Sequence, residues 1–126
     1  MRKQHKILRE KFNIKEDELL ENERRWTKED RQCGFSVCET WCLEYSFVCW
    51  LAERVYRYKE IGGEIVNLKF HIFHYKGKEY NQLELIDILL DKCDQYFKSQ
   101  LWEDGHEDIV EDICDIWKEL LPAMWW

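Results

Sequence analysis

Nine acidic residues recur at helical spacing in the last third of the chain. They form two sets, Glu84, Asp87, Asp91 and Asp94, and then Glu107, Asp108, Glu111, Asp112 and Asp115. Like charges at positions i and i+4 of a helix repel each other, by a few tenths of a kcal/mol per pair. Two interpretations stay open: a solvated acidic surface, or a negative surface that binds a basic groove on a partner, as nucleic-acid mimics do.

Six basic residues around the middle of the chain are candidates for binding a phosphate-bearing ligand. They are Arg54, Arg57, Lys59, Lys69, Lys76 and Lys78. Cations pair with phosphate groups, and neighbouring tryptophans can stack on a base. Salt bridges to the acidic helices are the alternative explanation, so a nucleotide site here is the second hypothesis.

Three cysteines, Cys38, Cys42 and Cys49, share one face of a predicted helix. On a straight helix the outer two would lie ~16 Å apart, at 1.5 Å per residue, which is too far for one metal ion. Structural zinc prefers pairs of cysteines close together on turns, and the sequence has no such pairs. We therefore expect no metal and no cofactor, and six cysteines that stay reduced.

The sequence carries no recognisable catalytic motif. It has no glycine-rich phosphate loop, no His-Glu-x-x-His and no nucleophile elbow. His71 and His74 lie three residues apart on a predicted strand, so their side chains should face opposite ways. We expect a non-enzymatic protein.

Composition narrows the class of partner. The chain has 126 residues, which fits one domain, and a formal net charge of −7. Residues 1–32 carry a net charge of +2 and the remainder −9, which argues against direct binding of nucleic acid. The longest apolar stretch, residues 47–52, is too short to cross a bilayer. No leader is recognisable, so a cytoplasmic location without membrane association is expected.

The periodicity predicts a mostly α-helical, single-domain bundle of four to five helices with a small β-hairpin or strand. Its parts are an N-terminal helical arm at 1–32, a central helix at 36–60, a β-like insertion at 64–80 and two C-terminal helices within 82–121. Apolar residues spaced by three and four positions carry the helical assignments, and alternation with period two carries the insertion.

Local signals place the ends of the central helix. Ser36 and Glu39 form the pattern of a capping box, so the helix should begin at residue 37, after a break at Gly34. Gly62 and Gly63 can take the left-handed conformation that closes a helix, so it should end shortly before them. The middle of this helix is apolar all round, which is typical of a helix that is central or covered by a second subunit.

The second half of the chain has equally clear signals. A turn at Gly77 should close the hairpin within residues 64–80. Asn81 should cap the next helix, at about 82–100, and the last helix should cover about 107–121.

Seven tryptophans are hard to bury in a chain of this size. Trp50 on the central helix, with Trp125 and Trp126 at the C-terminus, are candidate anchors for self-association, because aromatic side chains dominate many interfaces. A homodimer is therefore a further prediction.

The segment from Arg24 to Glu44 resembles a motif of small proteins in tailed-phage and prophage genomes. In that family, Arg/Lys-x-Gly-Phe/Trp-Ser-x-x-Asp-x-Trp-x-Leu/Phe-Asp stands at the start of a helix. Here Gly34, Phe35, Ser36 and Trp41 match it, and glutamates stand where the family has aspartates. The resemblance implies a phage context and leaves the activity open.

These observations together favour a phage-type binding protein that engages and inhibits a host defence protein, with anti-CRISPR proteins as an example. The acidic helices are the candidate binding surface. A nucleotide-signal-sequestering protein that uses the basic residues around Arg57 and Lys76 is the alternative.

Overall fold

The computed structural model describes residues 16–35, 37–99 and 103–125, with side chains from Arg24 onward. Its helices are α1 (Glu16–Cys33), α2 (Leu43–Ile65), α3 (Gln82–Lys98) and α4 (His106–Leu120), with 3-10 turns at Val37–Thr40 and Leu121–Ala123. Strands β1 (Ile72–Tyr75) and β2 (Lys78–Asn81) form one antiparallel hairpin. A mostly helical fold with a hairpin insertion, as the sequence predicts, is confirmed.

Backbone contacts group the chain into two compact units. The first ends at Leu51 and the second begins at Ala52, so the division falls inside α2. The described part of the first unit contains α1, the 3-10 turn at Val37–Thr40 and the start of α2. The second contains the rest of α2, the hairpin, α3 and α4.

The core of the first unit is built around Trp26. Its side chain is fully buried beside Cys38, and the partly buried Tyr45 packs against both. Trp41 meets the Trp26 ring edge-on, with ring centroids 5.7 Å apart. Gly34 has a φ of 82° and donates its N–H to the carbonyl of Asp30, so α1 ends where the sequence predicts a break.

The central helix begins later than predicted. Val37–Thr40 is a 3-10 turn, and α2 starts only at Leu43. The N–H of Val37 donates to a carboxylate oxygen of Glu29 at 2.6 Å, and the Thr40 hydroxyl donates to the Val37 carbonyl. These contacts hold residues 37–40 in a separate turn. The predicted cap residue, Ser36, lies outside the described residues.

The same helix also ends later than predicted, because Gly62 and Gly63 lie inside it. A glycine in a helix interior costs about 1 kcal/mol relative to alanine. A Cβ placed on Gly63 would lie 3.5 Å from a methyl carbon of Leu68, an ordinary van der Waals distance, so packing does not require a glycine there. The helix continues to Ile65 despite both glycines.

The hairpin is shorter than the predicted insertion. Residues 64–65 belong to α2, and strand pairing begins at Ile72, which lies opposite Asn81. Pairing stops there because Asn81 is also the N-cap of α3. His71 therefore precedes the strand, so its predicted strand position is wrong. Lys76 and Gly77 have φ values of 50° and 73°, as a two-residue type I′ turn requires.

The second unit is held together by α3 and α4, which pack against each other and against the hairpin. Asn81 accepts a hydrogen bond from the backbone of Glu84 at 2.8 Å, and the Glu84 side chain accepts one from the backbone of Asn81 at 3.1 Å. This capping box fixes the predicted start of α3. The buried side chains on the two helices include Leu85, Ile86, Leu89, Cys93, Tyr96, Ile113, Ile116 and Leu120.

Candidate functional site

The four acidic residues of α3 already have partners within the chain. Asp87 lies 2.6 Å from the Nζ of Lys59, and Asp94 lies 2.7 Å from a lysine one turn later. Asp91 accepts a hydrogen bond from a glutamine amide one turn later. Glu84 takes part in the capping box. Much of the charge of the first acidic set is therefore compensated locally.

Asp112, in the second acidic set, joins three elements of the second unit. Its two carboxylate oxygens lie 2.9 Å from the Nζ of Lys76, at the hairpin turn, and 3.1 Å from the Nζ of Lys92, on α3. The hydrogen bond from Lys76 is the main reason that the pKa of Asp112 is lowered. Burial raises the pKa of Tyr75, and the neighbouring Asp112 carboxylate raises it further. The structure thus gives Asp112 an internal, stabilising role.

This role predicts the effect of Asp112→Asn on stability. The variant should lower the free energy of unfolding at neutral pH by about 1 kcal/mol, since it removes the negative charge from two partly exposed ion pairs, with Lys76 and Lys92. Because the pKa of Asp112 is lower in the folded state, its ionised carboxylate stabilises the fold at pH values above the unfolded-state pKa of about 4. This stabilisation is lost as the pH falls through the folded-state pKa. The difference between variant and parent should therefore shrink in acid.

Urea titrations between neutral and acidic pH measure this difference. Asp108→Asn is the matched control, because Asp108 is exposed on the same helix and has no ion-pair partner among the described residues. If the two variants lose the same stability at every pH, Asp112 has no special role.

The other four acidic residues of the predicted second set remain directed to solvent, as does Glu119 in the last turn of α4. We call Glu107, Asp108, Glu111 and Asp115 the α4 acidic surface. All four are exposed, and within the described part of the chain none has a basic group within 4.0 Å. The first two lie in the first turn, where the helix dipole favours negative charge. The repulsion between Glu111 and its i±4 neighbours has no such compensation, so this surface is suited to a cationic partner.

The basic residues do not form an isolated cationic patch. Arg57 lies 3.0 Å from a carboxylate oxygen of Glu60, and Lys76 binds Asp112. Arg54, Lys69 and Lys78 are exposed. Because at least two of the predicted phosphate ligands already pair with carboxylates, the support for a nucleotide site at this set is weakened.

The cysteines do not share a helix as the spacing suggested. Cys38 lies in the 3-10 turn and Cys49 in α2, so the premise of one straight helix is wrong. Burial raises the pKa of Cys38 to about 12, and burial also raises that of Cys93 to about 12. These thiols stay protonated and are poor nucleophiles and metal ligands. Among the described residues, no group of three or more His, Cys, Asp or Glu side chains is placed to hold a metal.

Two of the three predicted self-association anchors have exposed rings. Trp50 is 40% exposed and stacks on Phe47, with ring centroids 6.3 Å apart. Trp125 is 77% exposed, and Trp126 lies outside the described residues.

If Trp50 anchors a homodimer, sedimentation velocity at micromolar concentration should show a dimer for the parent chain, because association would remove this exposed aromatic pair from water. Trp50→Ala should shift the population to the monomer. Tyr56→Ala removes another exposed ring of α2 and serves as the control. A parent chain that sediments as a monomer would contradict the prediction.

A histidine and a serine that the sequence did not single out lie together where α3 ends and α4 begins. The Ser99 hydroxyl donates to the carbonyl of Tyr96 at 2.9 Å, and its oxygen lies 2.9 Å from Nδ1 of the buried His106. Which of the two atoms donates the second bond depends on the histidine tautomer. The bond to the Tyr96 carbonyl caps the end of α3.

The sequence also gave no sign of a cavity of about 440 Å³ in the second unit. Its wall comes from the end of α2, the loop before β1, the start of α3 and the C-terminal segment. Gln82 lies in this wall. Its side chain is buried, although it belongs to the first turn of a helix, where a glutamine side chain is usually exposed to solvent. Contacts between segments so distant in sequence leave no local pattern.

Comparisons with protein-family models, with curated proteins and with solved structures give no match to this chain. In the described ranges, no helix is both long enough and apolar enough to cross a membrane.

Proposed function

We propose that this chain is a non-enzymatic, phage-type protein that binds a basic region of a host defence protein through the α4 acidic surface and thereby inhibits it. One observation carries the proposal: four exposed carboxylates on one helix lack ion-pair partners among the described residues, whereas Asp87, Asp94 and Asp112 are paired. Among the nine predicted acidic residues, Glu84 and Asp91 also have hydrogen-bond partners within the chain, which supports a choice of the remaining four as the candidate surface.

The energetics favour a cationic partner for this surface. Glu107 and Glu111, and Glu111 and Asp115, are like-charge pairs one turn apart, and each pair destabilises the helix slightly. Attraction to a groove lined by lysine and arginine would offset the repulsion between these carboxylates. The same attraction would raise the association rate of the two proteins. Proteins that bind nucleic acid present such grooves, because they must neutralise phosphates. The proposed target is therefore a nucleic-acid-binding defence protein in the bacterial cytoplasm.

Affinity capture from a bacterial lysate tests this proposal with three forms of the tagged chain. The first is the parent, the second is Glu107→Gln/Glu111→Gln/Asp115→Asn, and the third is a control, Asp87→Asn/Asp91→Asn/Asp94→Asn. The two variants lose the same number of charges. A nucleic-acid-binding protein retained by the parent and the control, and lost from the α4 variant, would support the proposal. Equal capture by all three forms would contradict it.

A further inference from the structure

The cavity of the second unit is lined by a buried amide and by exposed aromatic rings. The Gln82 side chain is buried, with its residue only 3% exposed, whereas Phe70 is 73% and Trp125 is 77% exposed. A volume of about 440 Å³ lies within the usual range for small-molecule sites. Exposed aromatic rings beside a cavity offer a stacking surface to a planar ligand.

The hydrogen bonds of Gln82 are only partly made. Its Nε2 lies 3.5 Å from the Tyr58 hydroxyl and 3.4 Å from the carbonyl of Ala123, both longer than the usual 2.9–3.0 Å. Its Oε1 accepts no hydrogen bond from the residues that the structure describes. This oxygen is not among the fully enclosed polar atoms of the described residues that lack a partner, so it keeps contact with solvent and is open to an N–H of a ligand.

We propose that this cavity binds a nucleobase with an exocyclic amino group, of which adenine is the reference case. The amino group donates to Oε1 of Gln82, and the rings of Phe70 and Trp125 supply stacking surface for the base. Because both N–H groups of Nε2 are directed to Tyr58 and Ala123, Oε1 is the part of the amide that is left to accept from the base. Stacking of a base on an aromatic side chain adds affinity whatever the sugar attached.

The cavity selects the base and not the phosphate. No lysine or arginine is among the described residues that line it. The neutral nucleoside should therefore bind as tightly as the nucleotide, which separates this site from the basic residues around Arg57. The proposal is also independent of the α4 acidic surface, since none of those four residues lines the cavity.

Isothermal titration with two nucleosides tests the proposal. Adenosine should bind, and purine riboside, which differs only in lacking the amino group, should bind about tenfold more weakly, because Oε1 of Gln82 then stays unpaired. Gln82→Met should reduce the affinity for adenosine to that for purine riboside. Adenosine monophosphate should bind within about twofold of adenosine, as expected for a site without a phosphate-binding cation.

Two variants at exposed rings distinguish the loss of a ligand contact from a change of fold. Trp125→Ala should weaken adenosine binding about tenfold, as loss of a stacking surface does. Tyr56→Ala, which removes an exposed ring outside the cavity, should leave binding unchanged. Absence of adenosine binding to the parent chain would overturn the proposal. Equal affinities for the two nucleosides, or equal effects of the Trp125 and Tyr56 variants, would overturn it as well.

Discussion

Replacing Trp26 by alanine should lower the free energy of unfolding by about 3 to 5 kcal/mol, the range measured for large aromatic truncations in protein cores. The Trp26 side chain is 1% exposed and packs beside Cys38 in the first unit, with Tyr45 against both. Alanine would leave a cavity that these neighbours cannot fill. Since whole domains are stable by only about 5 to 15 kcal/mol, this loss would remove a large part of the total.

Urea denaturation followed by circular dichroism measures the loss, and a midpoint shift of roughly 2 M is expected for a chain of this size. Trp41→Ala is the matched control, because Trp41 touches the same ring edge-on but is 43% exposed. It should cost about 1 kcal/mol. Equal losses for the two variants would show that burial of Trp26 does not dominate the first unit.

The motif that resembles phage proteins therefore has a structural role in this chain. Its tryptophan at position 41 contacts Trp26, and Gly34 takes the left-handed conformation that ends α1. Cys38, within the same segment, is fully buried. Phe35 and Trp41, which carry the resemblance, are nevertheless 51% and 43% exposed, so part of the motif lies on the surface of the first unit.

Sequence reasoning succeeded where the signal was local. The start of α3 was predictable because Asn81 and Glu84 satisfy each other's backbone groups within one turn. The hairpin turn was predictable because Gly77 tolerates a positive φ. Both features depend on residues no more than three positions apart, so no knowledge of the fold was needed.

It failed where distant residues decide the outcome. Strand pairing stops at Ile72 because its partner Asn81 caps the next helix. The continuation of α2 through Gly62 and Gly63 also has no local signal in the sequence. Which acidic residues are paired was equally inaccessible, since Asp112 meets Lys76 only after the hairpin and α4 have packed. The spacing showed that acidic residues recur along each helix. The tertiary structure determines which of them pair with lysines of the same chain.

The Glu107→Gln/Glu111→Gln/Asp115→Asn variant should bind the protein captured from lysate about tenfold more weakly than the parent chain. Each solvent-exposed ion pair contributes on the order of 0.5 kcal/mol, so three together correspond to roughly one power of ten in Kd. The fold should be retained. Relief of three like-charge pairs, which include Asp115 and Glu119, stabilises α4. Loss of Glu107 from the first turn removes a favourable interaction with the helix dipole, which offsets part of this gain.

Binding should also weaken with salt, because the Debye length falls from about 8 Å at physiological ionic strength to about 3 Å at 1 M. The parent chain should show a steeper decrease of affinity with salt than the α4 variant, since it has more charge to screen. The Asp87→Asn/Asp91→Asn/Asp94→Asn control should follow the parent, because two of those carboxylates already pair with lysines of the same chain.

Arg54→Ala/Arg57→Ala should leave the affinity for the protein partner unchanged. An affinity that depends on Arg54 and Arg57 and not on α4 would assign recognition to the basic residues, and the α4 acidic surface would then be a solvated face of the bundle.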